Sequence, residues 1–138
     1  MDGEMESSFS EPATILVVDD DRDNAVIVRD LLEARGYAVV VAGNGDDGLA
    51  MFDETRPALV LLDIMMPGRS GWEVCRSMKE HPTHGRLVRV IMLTALNDWS
   101  DKQAAIQTGA DDYLTKPVGF EDLLTCVKRN LALVGPPV

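Results

Sequence analysis

Five side chains in this 138-residue chain have types and placements that could do chemistry together: Asp19, Asp20, Asp63, Thr94 and Lys116. Each closes or directly follows a short run that reads as a β-strand. In a parallel sheet, strand ends of the same sense gather on one edge, where open α/β folds place their ligands. Three carboxylates brought together there raise one another's pKa unless a cation intervenes. An all-oxygen set of this kind suits Mg²⁺, which takes few carboxylates and keeps several waters. The Lys116 ammonium would balance charge. A hydroxyl and an ammonium flanking Asp63 would also hold the oxygens of a phosphoryl group placed on it. The residues therefore spell an acidic Mg²⁺ pocket around a nucleophilic aspartate, Asp63. The plainer reading is that they cap strands and solvate a sheet edge. That reading weakens as each further strand end supplies a suitable group.

The elements that must position these groups are legible as periodic segments. Ala58-Leu59-Val60-Leu61-Leu62 is an unbroken apolar run, as in a strand buried on both faces of a parallel sheet. It stops at Asp63, and Pro67-Gly68 then marks a type II turn. Thr14 to Val18 is the first strand, Ala38 to Val41 the second, Val88 to Leu93 the fourth and Asp112 to Thr115 the fifth. Helices are predicted over about 22–35, 46–55, 71–80, 98–107 and 119–134. Asp21 is the N-cap of the first, and Gly36 closes it in the left-handed region. Asn44-Gly45 reads as a turn. Val74, Cys75 and Met78 face inward on the third helix. Phe120, Leu123, Leu124, Val127 and Leu131 share a face of the last. Strand and helix alternate five times through short connections, which predicts a doubly wound parallel α/β sandwich. Residues 1–12 are expected to be a disordered tail, 13–134 the one domain and 135–138 a short C-terminal tail.

Composition narrows the function. Thirteen basic against twenty-three acidic residues give a net charge of −10, which repels phosphate backbones and argues against direct nucleic-acid binding. No apolar run approaches membrane-spanning length, and the polar N-terminus lacks the features of a secretory signal. Cys75 and Cys126 fall on apolar helix faces with no metal-binding spacing. They read as reduced core thiols, which fit a cytoplasmic protein.

Four stretches together carry a resemblance. They are Ile15-Leu16-Val17-Val18-Asp19-Asp20-Asp21; Leu62-Asp63-Ile64-Met65-Met66-Pro67-Gly68 with Gly71; Val90-Ile91-Met92-Leu93-Thr94-Ala95; and Gly109-Ala110-Asp111-Asp112-Tyr113-Leu114-Thr115-Lys116-Pro117. In this order they resemble the receiver domain of two-component response regulators, including its stand-alone chemotaxis-regulator members, over about residues 13–134. The resemblance implies a flavodoxin-like (βα)5 three-layer sandwich with strand order 2-1-3-4-5. It implies that Asp63 accepts a phosphoryl group from a sensor histidine kinase or a phosphotransfer protein. Asp20, Asp63 and the backbone carbonyl of Met65 would ligate Mg²⁺, with Asp19 assisting, a water between as one route. Thr94 and Lys116 would bind the phosphoryl oxygens. Tyr113 would be the aromatic that turns inward as Thr94 moves. The face made by the helix over about 98–107, the fifth strand and the last helix would then present itself differently to a downstream protein target. Homodimerisation through that face is a further expectation. Such a protein is a cytoplasmic switch, not an enzyme, catalysing only its own phosphoryl transfer and slow dephosphorylation.

Departures from the pattern are Ser70, where an Asp is common, and Arg89, where a Pro often precedes the fourth strand. No output domain follows Val134 in this sequence, so the reading allows a stand-alone receiver or a piece of a longer protein. A haloacid-dehalogenase-type phosphatase would need a second acid where Met65 stands, and no cap domain is present. A pseudo-receiver would be expected to lose an acid, the Thr or the Lys. His81 and His84 are expected in a solvated loop without an acidic neighbour. Trp72 and Trp99 open the third and fourth helices; packing is the expected role, with a partner surface near Thr94 the other reading for Trp99. Met65 and Leu96, both apolar, should shield the phosphorylated Asp63 from water.

Overall fold

The computed structural model describes residues 13–94, 103, 107 and 109–133. Five parallel strands, β1 (Thr14–Val18), β2 (Ala38–Ala42), β3 (Leu59–Asp63), β4 (Arg89–Thr94) and β5 (Asp112–Thr115), form one sheet in the order β2-β1-β3-β4-β5. The described helices are α1 (Arg22–Glu33), α2 (Gly45–Thr55), α3 (Gly71–Lys79) and α4 (Phe120–Ala132). This is the flavodoxin-like order expected from the sequence. The helix expected over about 98–107 lies mostly outside the described residues, with Gln103 and Gln107 helical. The N-terminal tail, Leu96 and Trp99 also lie outside them.

Side chains alternate across the sheet with period two, and this alternation divides the core. Leu16, Val18, Val60, Leu62, Val90 and Met92 face α2 and α3, against Phe52, Val74, Cys75 and Met78. Ile15, Val17, Leu59, Leu61, Ile91 and Leu93 face the other way, toward Ala25 and Leu32 of α1 and Leu123, Cys126 and Val127 of α4. Central β3 is buried at every residue, because helices cover both its faces.

Helix starts fix how the chain enters these layers. The Asp21 side chain accepts from the Asn24 N–H at 3.2 Å and caps α1. Gly36 takes φ +95° beyond its end. Ser70 and Glu73 form a reciprocal capping box at the start of α3, so Ser70 has a structural role of its own. Three expectations need correction. Asn44-Gly45 is not a free turn: extended Asn44 caps α2 by accepting from the Asp47 N–H at 2.8 Å, and Gly45 opens that helix. Phe120 is exposed, because it stands at the first turn of α4, beside an open groove. His81 and His84 are not plainly solvated. Both rings pack on Phe52, His81 Nε2 lies 3.4 Å from Asp53, and His84 Nε2 donates to the Pro57 carbonyl at 2.6 Å.

Candidate functional site

The carboxyl edge of the sheet gathers the acids. β1 ends at Val18 and β3 at Asp63, and the two strands pair directly. Asp19 and Asp63 are therefore neighbours, 1% and 4% exposed, while Asp20 next to them is open to solvent. Carboxylate oxygens of Asp19, Asp20 and Asp63 lie within 4.8 Å of one another. β4 brings Thr94, buried, one residue beyond the partner of Asp63 in the register. The chain after β5 brings Lys116, whose Nζ is 3.2 Å from Asp63 Oδ2 and 3.8 Å from Asp19 Oδ2. Its backbone N–H donates to the Thr94 carbonyl at 2.6 Å, and the Lys116–Pro117 peptide is cis.

The loop after β3 wraps this edge. The Met65 N–H donates to Asp63 Oδ1 at 3.2 Å, while its side chain is 62% exposed. Gly68, at φ +79°, supplies the positive φ that the Pro67-Gly68 turn requires. Gly71 then returns the chain against the strand, donating to the Ile64 carbonyl at 3.1 Å. A Cβ at Gly71 would lie 2.4 Å from the Asp63 carbonyl oxygen and 2.7 Å from Ile64 Cα. Only glycine lets α3 begin this close to the acid-bearing strand end.

Burial pushes the Asp63 carboxyl above its usual range. Lys116 opposes this and Asp19 adds to it, while further hydrogen bonds from Lys116 and the Met65 N–H pull it down. Three hard oxygen donors facing one ammonium match the needs of Mg²⁺, so the residues fit that ion. Asp63 can act as a nucleophile there, with Thr94 at the end of neighbouring β4 and Lys116 reaching it from the chain after β5. Tyr113 lies on β5 opposite Met92, half-buried and packed against the core on the α2–α3 side.

Asn24 was not singled out by the sequence reading. Its Nδ2 donates to Asp19 Oδ2 at 2.7 Å, while the Asp21 N–H donates to Asp19 Oδ1 at 2.9 Å. The signal was its place in the first turn of the helix after the acids, because helical side chains lean back toward the N-terminus. Beside Lys116 a groove of about 490 Å³ opens between α1 and α4, with Ile27 and Phe120 exposed along it.

A second polar cluster, at the opposite edge, was also not foreseen. Asp111 is paired with Lys79 at 2.5 Å and Arg89 at 3.2 Å, and accepts from the Val90 N–H at 2.8 Å. Asp112 accepts from Arg129 at 2.6 Å and Asn130 at 3.0 Å, and Arg89 donates to Asn130 Oδ1 at 3.0 Å. Burial alone would raise the Asp112 carboxyl. The hydrogen bonds from Arg129, Asn130, the Tyr113 N–H and Cys126 outweigh it and hold the group below its ordinary value. The buried Cys126 thiol is pushed up to about 11 by burial and by Asp112, which leaves it unreactive at neutral pH.

Comparison with known proteins places this geometry. Residues 15–128 match the family described as the response regulator receiver domain. A putative response regulator from Chloroflexus aurantiacus is 36% identical, with a TM-score of 0.82 over 88% of this chain and 98% of that one. The signal receiver domain of a signal transduction histidine kinase from Syntrophus aciditrophicus is 35% identical, with a TM-score of 0.83 over 91% and 95%. The chemotaxis protein CheY4 of Vibrio cholerae is 29% identical, with a TM-score of 0.82 over 86% and 98%.

Proposed function

We propose, from the premise that this chain belongs to the response regulator receiver domain family, that it is a switch in a two-component system turned on by phosphorylation of Asp63. The observation that carries this is the set at the carboxyl edge: a buried Asp63 with Lys116 at 3.2 Å and two further carboxylates within 4.8 Å. Asp63 Oδ attacks the phosphorus of a phosphohistidine, a P–O bond forms as the P–N bond breaks, and the imidazole leaves with its electron pair. Lys116 and Thr94 flank the acceptor and would take up the charge of the transferred oxygens. Asp20, Asp63 and the Met65 carbonyl would hold Mg²⁺, with Asp19 beside them. The bound ion would neutralise the acids and draw charge from the phosphoryl oxygens.

The donor is a sensor histidine kinase or a phosphotransfer protein. The groove beside Lys116, with Ile27 and Phe120 exposed, gives such a protein an apolar approach to Asp63. Phosphorylation adds roughly −1.5 to −2 charges. Thr94 would follow the new acceptor and Tyr113 would turn in, altering the face of β5 and α4 that a downstream protein or a second copy reads. No helix among the described residues is long and apolar enough to cross a membrane; the proposed place of action is the cytoplasm. The chain is a switch and not an enzyme acting on other molecules.

The test is chemical. After incubation with acetyl phosphate and Mg²⁺, borohydride reduction should trap the acyl phosphate at Asp63. Label that persists undiminished in Asp63→Asn would sink the assignment.

A further inference from the structure

We propose that Asn24 is a positioning residue which, by holding Asp19, leaves Lys116 to serve Asp63. The inference rests on the reading of Asp63 as the phosphoryl acceptor. Lys116 Nζ stands between two buried carboxylates, 3.2 Å from Asp63 Oδ2 and 3.8 Å from Asp19 Oδ2. The Asp19 side chain is wholly buried, and a buried anion must have each oxygen satisfied. Oδ1 is satisfied by the Asp21 N–H, and Oδ2 by the Asn24 amide at 2.7 Å.

Without that amide, the ammonium of Lys116, 3.8 Å away, is the cation at hand for Asp19 Oδ2 among the described residues. A lysine has a flexible stem and a compact charge, so a shift of about one ångström completes the exchange. Asp63 would then lose both its counter-charge and the ammonium poised to receive a phosphoryl oxygen. Asn24 therefore settles which of two acids keeps the lysine. The cap of α1 does not depend on this side chain, because Asp21 accepts from the Asn24 backbone N–H. Leucine is also the better helix former. Asn24→Leu is thus a clean substitution, and Asn24→Ala a second with less bulk. Thermal unfolding identifies the folded variant to use.

In that variant without metal, the Lys116 ammonium resonances should shift, and a crystal structure should show Nζ against Asp19 and away from Asp63. A lysine unchanged in both measurements overturns the inference. Labelling by acetyl phosphate at saturating Mg²⁺ should slow about tenfold, the usual cost of removing an outer partner of a metal-site ligand. The slowing should vanish in a Lys116→Met background, because Asn24 acts through that lysine. Equal slowing in both backgrounds would mean that Asn24 acts some other way. A wild-type chain that takes no label at Asp63 would overturn the functional reading instead, and the position of Lys116 would then decide for or against Asn24.

Discussion

At the carboxyl edge of the sheet three carboxylates face one ammonium; at the amino edge two carboxylates face three cations. Both clusters sit at strand ends, and both are held by backbone N–H groups as well as side chains. The difference lies in what is left over. Asp111 and Asp112 have their charge met by Lys79, Arg89 and Arg129, with Asn130 linking the two halves, so this cluster is a finished joint between α3, β4, β5 and α4. Asp19, Asp20 and Asp63 keep an excess of negative charge that the described side chains do not cancel. The amino-edge network closes on itself, whereas the carboxyl edge stays short of a cation, which on the proposed function leaves room for a metal and a phosphoryl group.

The sharpest way to break this comparison is to neutralise one acid at each edge. Asp111→Asn should destabilise the fold by about 3 kcal/mol, because it leaves two partly buried cations without their partner. Urea unfolding in the absence of Mg²⁺ measures this, and a loss near zero would show the amino edge is not a joint.

A pair of glycines gives the next largest effect. A Cβ at Gly85 would lie 2.2 Å from the Lys79 carbonyl oxygen, as tight as the approach at Gly71. Either Gly→Ala change should cost about 2 kcal/mol through overpacking. Gly71→Ala should also weaken Mg²⁺ binding, by displacing the Asp63 and Met65 backbone, whereas Gly85→Ala should bind the ion as wild type does. Calorimetry on the folded variants separates the two, and equal Mg²⁺ affinities would erase the distinction between the edges.

Asp63→Asn should change stability in the opposite sense to Asp111→Asn. It removes a buried charge from a crowded acid cluster, and a gain of about 1 kcal/mol is expected without metal. Mg²⁺ should raise the melting temperature of wild type and have little effect on this variant.

The smallest effect is the pH dependence, and its sign differs between the edges. Asp63 keeps its proton to higher pH in the folded chain than the ordinary 3.8. Stability from this group is therefore present below 3.8 and lost as pH rises through the folded-state value. Asp112 is depressed below 3.8, so its contribution is present above 3.8 and lost as pH falls through its folded-state value. Wild type minus Asp63→Asn should thus fall with rising pH, and wild type minus Asp112→Asn should rise. Two slopes of the same sign would contradict the assignment of the clusters.

The carboxyl edge was legible because parallel strands are buried on both faces. Continuous runs in β1, β3 and β4, such as Leu59 to Leu62, mark where those strands stop, and the first polar residue after each run marks the shared edge; Lys116 instead follows the mixed run of β5. The amino edge was not legible in this way. Lys79 and Asp111 lie 32 residues apart, and Arg89 and Asn130 41 apart, with no local pattern to join them. Long-range pairing also hid Asp53 from His81. Asn44-Gly45 misled because both residues favour turns, whereas here Asn44 is extended and Gly45 is packed where a Cβ would meet Val74 at 2.8 Å. Helical spacing put Phe120 on the buried face, but at the first turn of α4 this residue lies exposed beside a groove.

The period-two alternation of the strands has a consequence for how this chain can change. Leu61 and Leu62 are adjacent, yet one packs toward α1 and α4 and the other toward α2 and α3. The sheet is a wall between two separate packing problems, so truncations at these neighbouring positions should add almost independently, while Leu61 and Ile91, further apart in sequence, should couple. Either room can therefore be refurnished by mutation without consulting the other. The constraint they share is the top of the wall, where the end of β3 carries Asp63, and sequence drift in both halves must leave that rim in place.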